Sequence, residues 1–254
     1  MLSARDLQHS YGDLVTISSL DLDLPEHGVL GLVGPSGCGK STLLELICGL
    51  LEPSAGSLAV DGAGSATGRL ERCAFMPQRD LLFPWLSALD NAALAPRNAG
   101  LSLRRARERA SALFGRFGLE GFETARPTQL SGGMRQRVAF LRTLLSGKPL
   151  LALDEPFASL DAITRAEMQS WLASAHSADP RTLVLVTHDV EEALYLSDRV
   201  VVLSPRPARE VALLAGPEPR AEDRDAAVTD PAFVAVRERA MRALHESAGR
   251  ERVP

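Results

Sequence analysis

No apolar run in this chain approaches the roughly 20 residues that a membrane-spanning helix needs. The most apolar stretches are cut by Gly, Pro or charge. Residues 1–6 lack the profile of a secretory leader. Only three cysteines occur, Cys38, Cys48 and Cys73, at spacings that match neither a metal site nor a disulfide framework. They read as free thiols in a reducing compartment. Positive charge is not in excess: the formal net charge is −4, so nothing in the overall balance points to nucleic acid. No internal repeat is visible. Together these absences predict a cytoplasmic chain that meets a membrane only through a partner.

What is present is ordinary in bulk. The 254 residues are 45% hydrophobic and 24% charged, enough for one large α/β domain or two small ones. The informative stretch is Gly34-Pro35-Ser36-Gly37-Cys38-Gly39-Lys40-Ser41, followed by Thr42. It fits the phosphate-binding loop pattern. An apolar run at 29–33 suits a buried parallel strand before it. Residues 42–51 are apolar at helical spacing after it, with Leu43, Leu46, Ile47 and Leu50 on one side. The glycines permit a tight curl, and amides from Gly37 to Thr42 at a helix start suit phosphate oxygens. Lys40 supplies charge to the outer phosphates, and the Ser41 hydroxyl can ligate Mg2+. Cys38, on an exposed anion-binding loop, is expected to be the most alkylation-sensitive thiol.

Along the chain, 2–7 and 20–24 alternate as half-buried strands, with a turn carrying an aromatic at 9–13 between them. A short strand at 57–60 follows, then a small polar connector at 62–68. A strand at 73–76 ends at Pro77-Gln78. Strand signals then vanish over about 79–146, read as an inserted helical subdomain. Residues 102–118 align Leu103, Ala106, Ala110, Leu113, Phe114 and Phe117 on one helical face, and a second helix spans 131–145. Strands at 150–153, 183–187, 199–203 and 210–214 and helices at 161–175 and 190–196 complete the domain, residues 1–215. Residues 216–254 form a linker and tail, with linker composition through 229 and a helix at 231–247 that aligns Phe233, Val236, Ala240 and Leu244.

The strand at 150–153 runs into Asp154-Glu155. An acid pair there either caps the next turn or holds Mg2+ through Asp154 and orients an attacking water through Glu155. Leu130-Ser131-Gly132-Gly133-Met134-Arg135-Gln136-Arg137 closely resembles the signature motif of ATP-binding cassette (ABC) proteins. It offers a second anion site of a Ser hydroxyl and Gly amides at a helix start. The resemblance extends over roughly residues 1–214. It implies an α/β fold: a RecA-like P-loop NTPase core, an N-terminal antiparallel β subdomain and the helical insertion. It also implies ATP and Mg2+ as ligands, and two copies that sandwich ATP between the phosphate loop of one and Ser131, Gly132 and Gly133 of the other. Tyr11 resembles the aromatic that stacks on adenine, although a plain surface aromatic would read the same. Gln78 resembles the glutamine that meets Mg2+ and the water, Asp161 in Ser159-Leu160-Asp161 the interface loop, and His188 the switch histidine at the terminal phosphate. Met134 stands where many members carry Gln. His9, His27, His176 and His245 have no such context.

A finer resemblance lies in 78–86, Gln-Arg-Asp-Leu-Leu-Phe-Pro-Trp-Leu, with Asp90-Asn91 following. It is similar to nitrate, sulfonate, taurine and thiamine-precursor importer subunits, as is the 230–233 tail segment. The apolar Leu-Phe-Pro-Trp stretch is either plain core or a groove for a membrane subunit. The resemblance implies an importer ATPase on the cytoplasmic membrane face, with integral permease subunits and, indirectly, a solute-binding protein as partners, and no nucleic acid. An exporter-type or soluble non-transport ABC ATPase is the alternative.

Overall fold

The structure is a computed structural model, and it describes residues 1–216 and 224–249. The chain opens on β1 (Leu2–Tyr11), β2 (Leu14–Ser19) and β3 (Leu22–Leu24), then β4 (Val29–Val33) and α1 (Lys40–Ile47). β5 (Ala55–Val60), α2 (Ala66–Arg72) and β6 (Cys73–Met76) follow. Four helices intervene before the next strand: α3 (Ala88–Ala92), α4 (Leu94–Asn98), α5 (Leu103–Phe114) and α6 (Gly132–Leu144). Then come β7 (Leu150–Asp154), α7 (Ala162–Ala178), β8 (Thr182–Val186), α8 (Val190–Leu196), β9 (Arg199–Leu203), β10 (Ala208–Ala215), α9 (Arg224–Thr229) and α10 (Pro231–Gly249).

The strands lie in the order β3-β1-β2-β10-β9-β4-β8-β7-β6, with β5 also on β1. From β9 to β6 every pairing is parallel. β1 pairs antiparallel with β2, β3 and β5, and this patch joins the core where β10 runs parallel to β2. β4, β7 and β8 are buried at every position, as strands covered on both faces must be. Alternate residues go to opposite sides. Leu30, Leu32, Ala152 and Val184 pack with Leu43, Leu44 and Ile47 of α1. Val29, Val33, Leu151, Leu153 and Leu185 pack with the helical insertion, α7, α8 and Phe233 of the tail. Each such fully buried Leu, Val, Ile or Phe side chain stabilises by about 1.5–3 kcal/mol, and truncating Leu153 to Ala would cost about 2–5 kcal/mol.

An aromatic cluster joins the insertion to the core. Phe140 of α6 stands 5.7 Å from Phe157, and Phe117 stands 4.7 Å from Trp171 of α7. Polar side chains set the helix starts: Ser65, Ser87, Ser102, Ser131, Asp161 and Asp189 each accept an amide of the first turn.

Several local expectations change. The helix after the phosphate loop ends at Ile47, because Gly49 takes φ +73 and closes it, so Leu50 is exposed rather than on the buried face. β1 runs on to Tyr11, through part of the expected turn at 9–13, and β2 forms at Leu14–Ser19, outside every expected element. The small polar connector holds α2, capped by Ser65. Within the linker composition, α9 forms over its last residues, while 217–223 lie outside the described residues. Trp85, Phe83 and Leu81 are exposed, so only Leu82 of that stretch joins the core.

Candidate functional site

The phosphate loop connects β4 to α1. Gly37 and Gly39 adopt φ of +76° and +122°, conformations that side chains resist. A Cβ on Gly34 would come within about 3.1 Å of Leu203 and Cys38. No side chain caps α1, so its first amides face the cleft without an intrachain acceptor from that source. Lys40 is buried and folds over the loop, its Nζ donating to the Gly34 carbonyl at 2.7 Å and the Pro35 carbonyl at 2.9 Å.

The sheet brings the acid pair to the same place. β7 pairs with β8, which pairs with β4, so Asp154 at the end of β7 lies close to the phosphate loop. Asp154 is buried, and desolvation raises its pKa against the hydrogen bond from Ser41 and the charge of Lys40. Glu155 takes the left-handed φ of +49°, held by its own amide on the Val186 carbonyl at 2.8 Å and by Gln136 on its carbonyl at 3.3 Å. Its Oε2 meets His188 Nδ1 at 3.0 Å. Strained backbone held from both sides is a recurrent feature of functional positions.

The cleft so formed encloses about 410 Å3. One end carries Tyr11, Leu14 and Thr16, the middle Ser36, Gly37, Gly39, Lys40, Ser41 and Thr42, and the other end Gln78, Asp154 and Glu155. Tyr11 is about half exposed, propped edge-on by His9 with ring centroids 4.8 Å apart. His188 lies beside the cleft, exposed, in a groove it shares with Pro35 and the tail helix. Ser131, Gly132 and Gly133 line no part of the cleft. They start α6, where Gly133 abuts Leu160 and Ser159, and Asp161 caps α7 nearby. A separate apolar cavity of about 370 Å3, around Trp171 between α5, α6 and α7, carries none of these groups.

Two findings revise the reading of the loop. Cys38 is buried rather than exposed, and burial raises its thiol pKa, so the expected reactive thiolate is not there. Its amide donates to the Pro35 carbonyl at 3.3 Å. Arg206, which sequence reasoning passed over, lines the cleft and bonds Gly37; its signal was an arginine set between Pro205 and Pro207.

The site fits a divalent cation. Ser41, Gln78 and Asp154 offer oxygen donors, and a desolvated carboxylate gains by meeting a cation. No group of three His, Cys, Asp or Glu clusters among the described residues, so such an ion would depend on phosphate oxygens for further ligands. No helix among those residues is long and apolar enough to cross a membrane.

The ABC transporter family model matches residues 17–158. An ATP-binding protein of Brucella abortus biovar 1 is 39% identical over 246 residues, 96% of this chain and 93% of its own length. The formylaminopyrimidine import ATP-binding protein ThiZ of Halalkalibacterium halodurans is 44% identical over 191 residues, 75% of this chain and 74% of ThiZ. The taurine import ATP-binding protein TauB of Rhizobium johnstonii is 43% identical over 200 residues, 78% and 76% of the two chains. The fold is similar to an ATP-binding cassette solved as a dimer in a post-hydrolysis state with ADP and Pi, with a TM-score of 0.77 and 27% identity over 85% of this chain and 99% of that one. The chain belongs to the ABC transporter family. It is an ATP-binding, ATP-hydrolysing member, with its P-loop NTPase core elaborated by a β patch and a helical insertion.

Proposed function

We propose that this chain hydrolyses ATP to power solute import, working as a pair of copies beneath an integral membrane permease. The observation that carries the paired arrangement is the incompleteness of the cleft. Its phosphate loop and acid pair are together, while Ser131, Gly132 and Gly133 lie outside its lining on the same chain. A second copy can supply them to ATP, with Asp161 in the loop between the two sites.

In this reading Tyr11 stacks on adenine. Gly34, Pro35, Ser36, Gly37, Cys38 and Gly39 shape the turn, and the amides from Gly37 to Thr42 meet phosphates, apart from that of Cys38, which is spent on the Pro35 carbonyl. Lys40 neutralises the outer phosphates. Ser41, Asp154 and Gln78 would hold Mg2+, which would supply charge neutralisation for the phosphates. A water attacks the terminal phosphorus, the bond to ADP breaks, and the water's proton passes to the Glu155 carboxylate. His188, bonded to Glu155, reports on the terminal phosphate.

The exposed Leu81, Phe83 and Trp85 patch suits the permease contact. The names of the relatives favour a sulfonate, taurine or thiamine-precursor solute. Placement at the cytoplasmic face of the membrane follows from that partnership. Lys40→Ala tests the site. Calorimetry should show loss of ATP binding, because a buried charge opposite phosphates is hard to replace. Parent-like affinity would move the nucleotide site elsewhere.

A further inference from the structure

The loop between β9 and β10 carries a cation that none of these roles uses. Ser204 ties the loop off: its hydroxyl reaches the carbonyls of Pro205 at 2.8 Å and Pro207 at 3.0 Å, and it accepts the Arg209 amide at 3.2 Å. Pro205 and Pro207 flank Arg206, and their rings restrict φ on both sides of it. The side chain is therefore presented from a stiff support. Arg206 sends Nε and Nη2 to the Gly37 carbonyl, at 3.1 and 2.6 Å, across 169 residues of sequence. It is exposed to the cleft and has no carboxylate partner among the described residues.

The strand order fixes which end of the cleft it serves. β10 lies beside β2, with Ala208 opposite Ile17, so Arg206 stands at the Tyr11 and Leu14 end. The acid pair and Gln78 follow β7 and β6, on the other side of β4. A nucleotide with its base at Tyr11 and its terminal phosphate at Glu155 would pass Arg206 at its first phosphate. A guanidinium has five N–H donors in a planar fork. Two are spent on Gly37, and three remain for an anion.

We propose that Arg206 is a nucleotide-binding residue that grips the α-phosphate of ATP and ADP while it holds the Gly37 turn in place. This rests on reading the cleft as the ATP site. Lys40 then serves the outer phosphates, and Arg206 serves the phosphate that both substrate and product carry.

Calorimetry with Mg-ATP and with Mg-ADP on the full chain tests this, using Arg206→Gln, Arg206→Lys and Lys40→Ala, with steady-state hydrolysis measured alongside. Gln keeps a donor for the Gly37 carbonyl and removes the charge. Arg206→Gln should weaken ATP and ADP by the same factor, about tenfold, as for the loss of one charge-assisted hydrogen bond. KM should rise equally while kcat at saturation holds. Arg206→Lys should recover part of the affinity, because the charge returns without the fork; it carries the test if the Gln variant does not fold. Parent-like affinity in Arg206→Gln would reduce Arg206 to a prop for the loop and overturn the proposal. A loss confined to ATP would place the contact at the terminal phosphate and overturn it too. If Lys40→Ala abolishes binding and Arg206→Gln does not weaken it, Arg206 alone is misassigned. If neither variant weakens binding, the cleft itself is misread.

Discussion

Glu155 and Cys38 show how far residue-level inference reaches. The acid pair could be read from its apolar strand and its place downstream of a phosphate loop, and the structure sets it in the cleft beside Ser41 and Lys40. Its strained backbone and its bond to His188 were not legible, because both depend on β8 lying next to β7. Cys38 went the other way. The pattern marks its position as variable and says nothing of its direction, and the side chain turns inward toward Gly34 and Lys40 instead of out to solvent. Arg206 was invisible for a third reason, since only the fold brings it to Gly37. The burial of Cys38, Cys48 and Cys73 has a direct consequence. Brief iodoacetamide treatment of the native chain, read by peptide mass, should leave all three largely unmodified, with labelling appearing in denaturant. Rapid native labelling of Cys38 would contradict its placement.

At the scale of elements, the segment before α3 is held by its own polar ties. Buried Asn91 accepts the Phe83 amide at 2.8 Å and donates to the carbonyls of Phe83, Leu86 and Ser87. Arg135 and Arg142 of α6 fasten Asp80 and Leu81 from the other side. The segment is thus tied down from both sides while Trp85 stays 66% exposed, which rules out plain core for Trp85 and leaves its ring free for the docking role proposed above. Trp85→Ala should hydrolyse ATP as the parent does in isolation and lose co-purification with the permease; normal assembly and transport would count against the docking role. α8 carries a different device. Burial pushes the Glu192 carboxyl up to about 7, with Oε2 on Gln169 Nε2 at 2.9 Å and Oε1 without a hydrogen bond among the described residues. Between its ordinary value and about 7 this carboxyl is protonated when folded and ionised when unfolded. Its contribution to stability is complete below the ordinary carboxyl range and is lost as pH rises through about 7. Thermal melts should therefore favour Glu192→Gln over the parent progressively from pH 5 to pH 8, and a pH-independent difference would contradict the assignment. Strand and helix periods exposed β4, β6 and α8 in the sequence. β2 stayed hidden because Leu14 and Val15 are exposed while Thr16 and Ile17 are buried, which breaks the alternation that marks a strand.

On the scale of the whole molecule, a mixed sheet, parallel from β9 to β6, runs between two apolar clusters, and the helix start at Ser131 lies outside the cleft that holds the phosphate loop. That separation gives the shared-site account its central claim: hydrolysis needs two copies, each completing the other's cleft. Glu155→Gln isolates the claim. Glutamine keeps the shape and a hydrogen-bonding oxygen but cannot take the water's proton, which typically costs about 10²- to 10⁴-fold in rate. Lys40, Ser41 and Asp154 remain, and one negative charge near the phosphates is gone, so ATP should stay bound. Size-exclusion chromatography of Glu155→Gln with Mg-ATP should show a dimer, which addition of Ser131→Arg should return to monomer. A Glu155→Gln protein that binds ATP yet elutes as a monomer at high concentration would contradict the account.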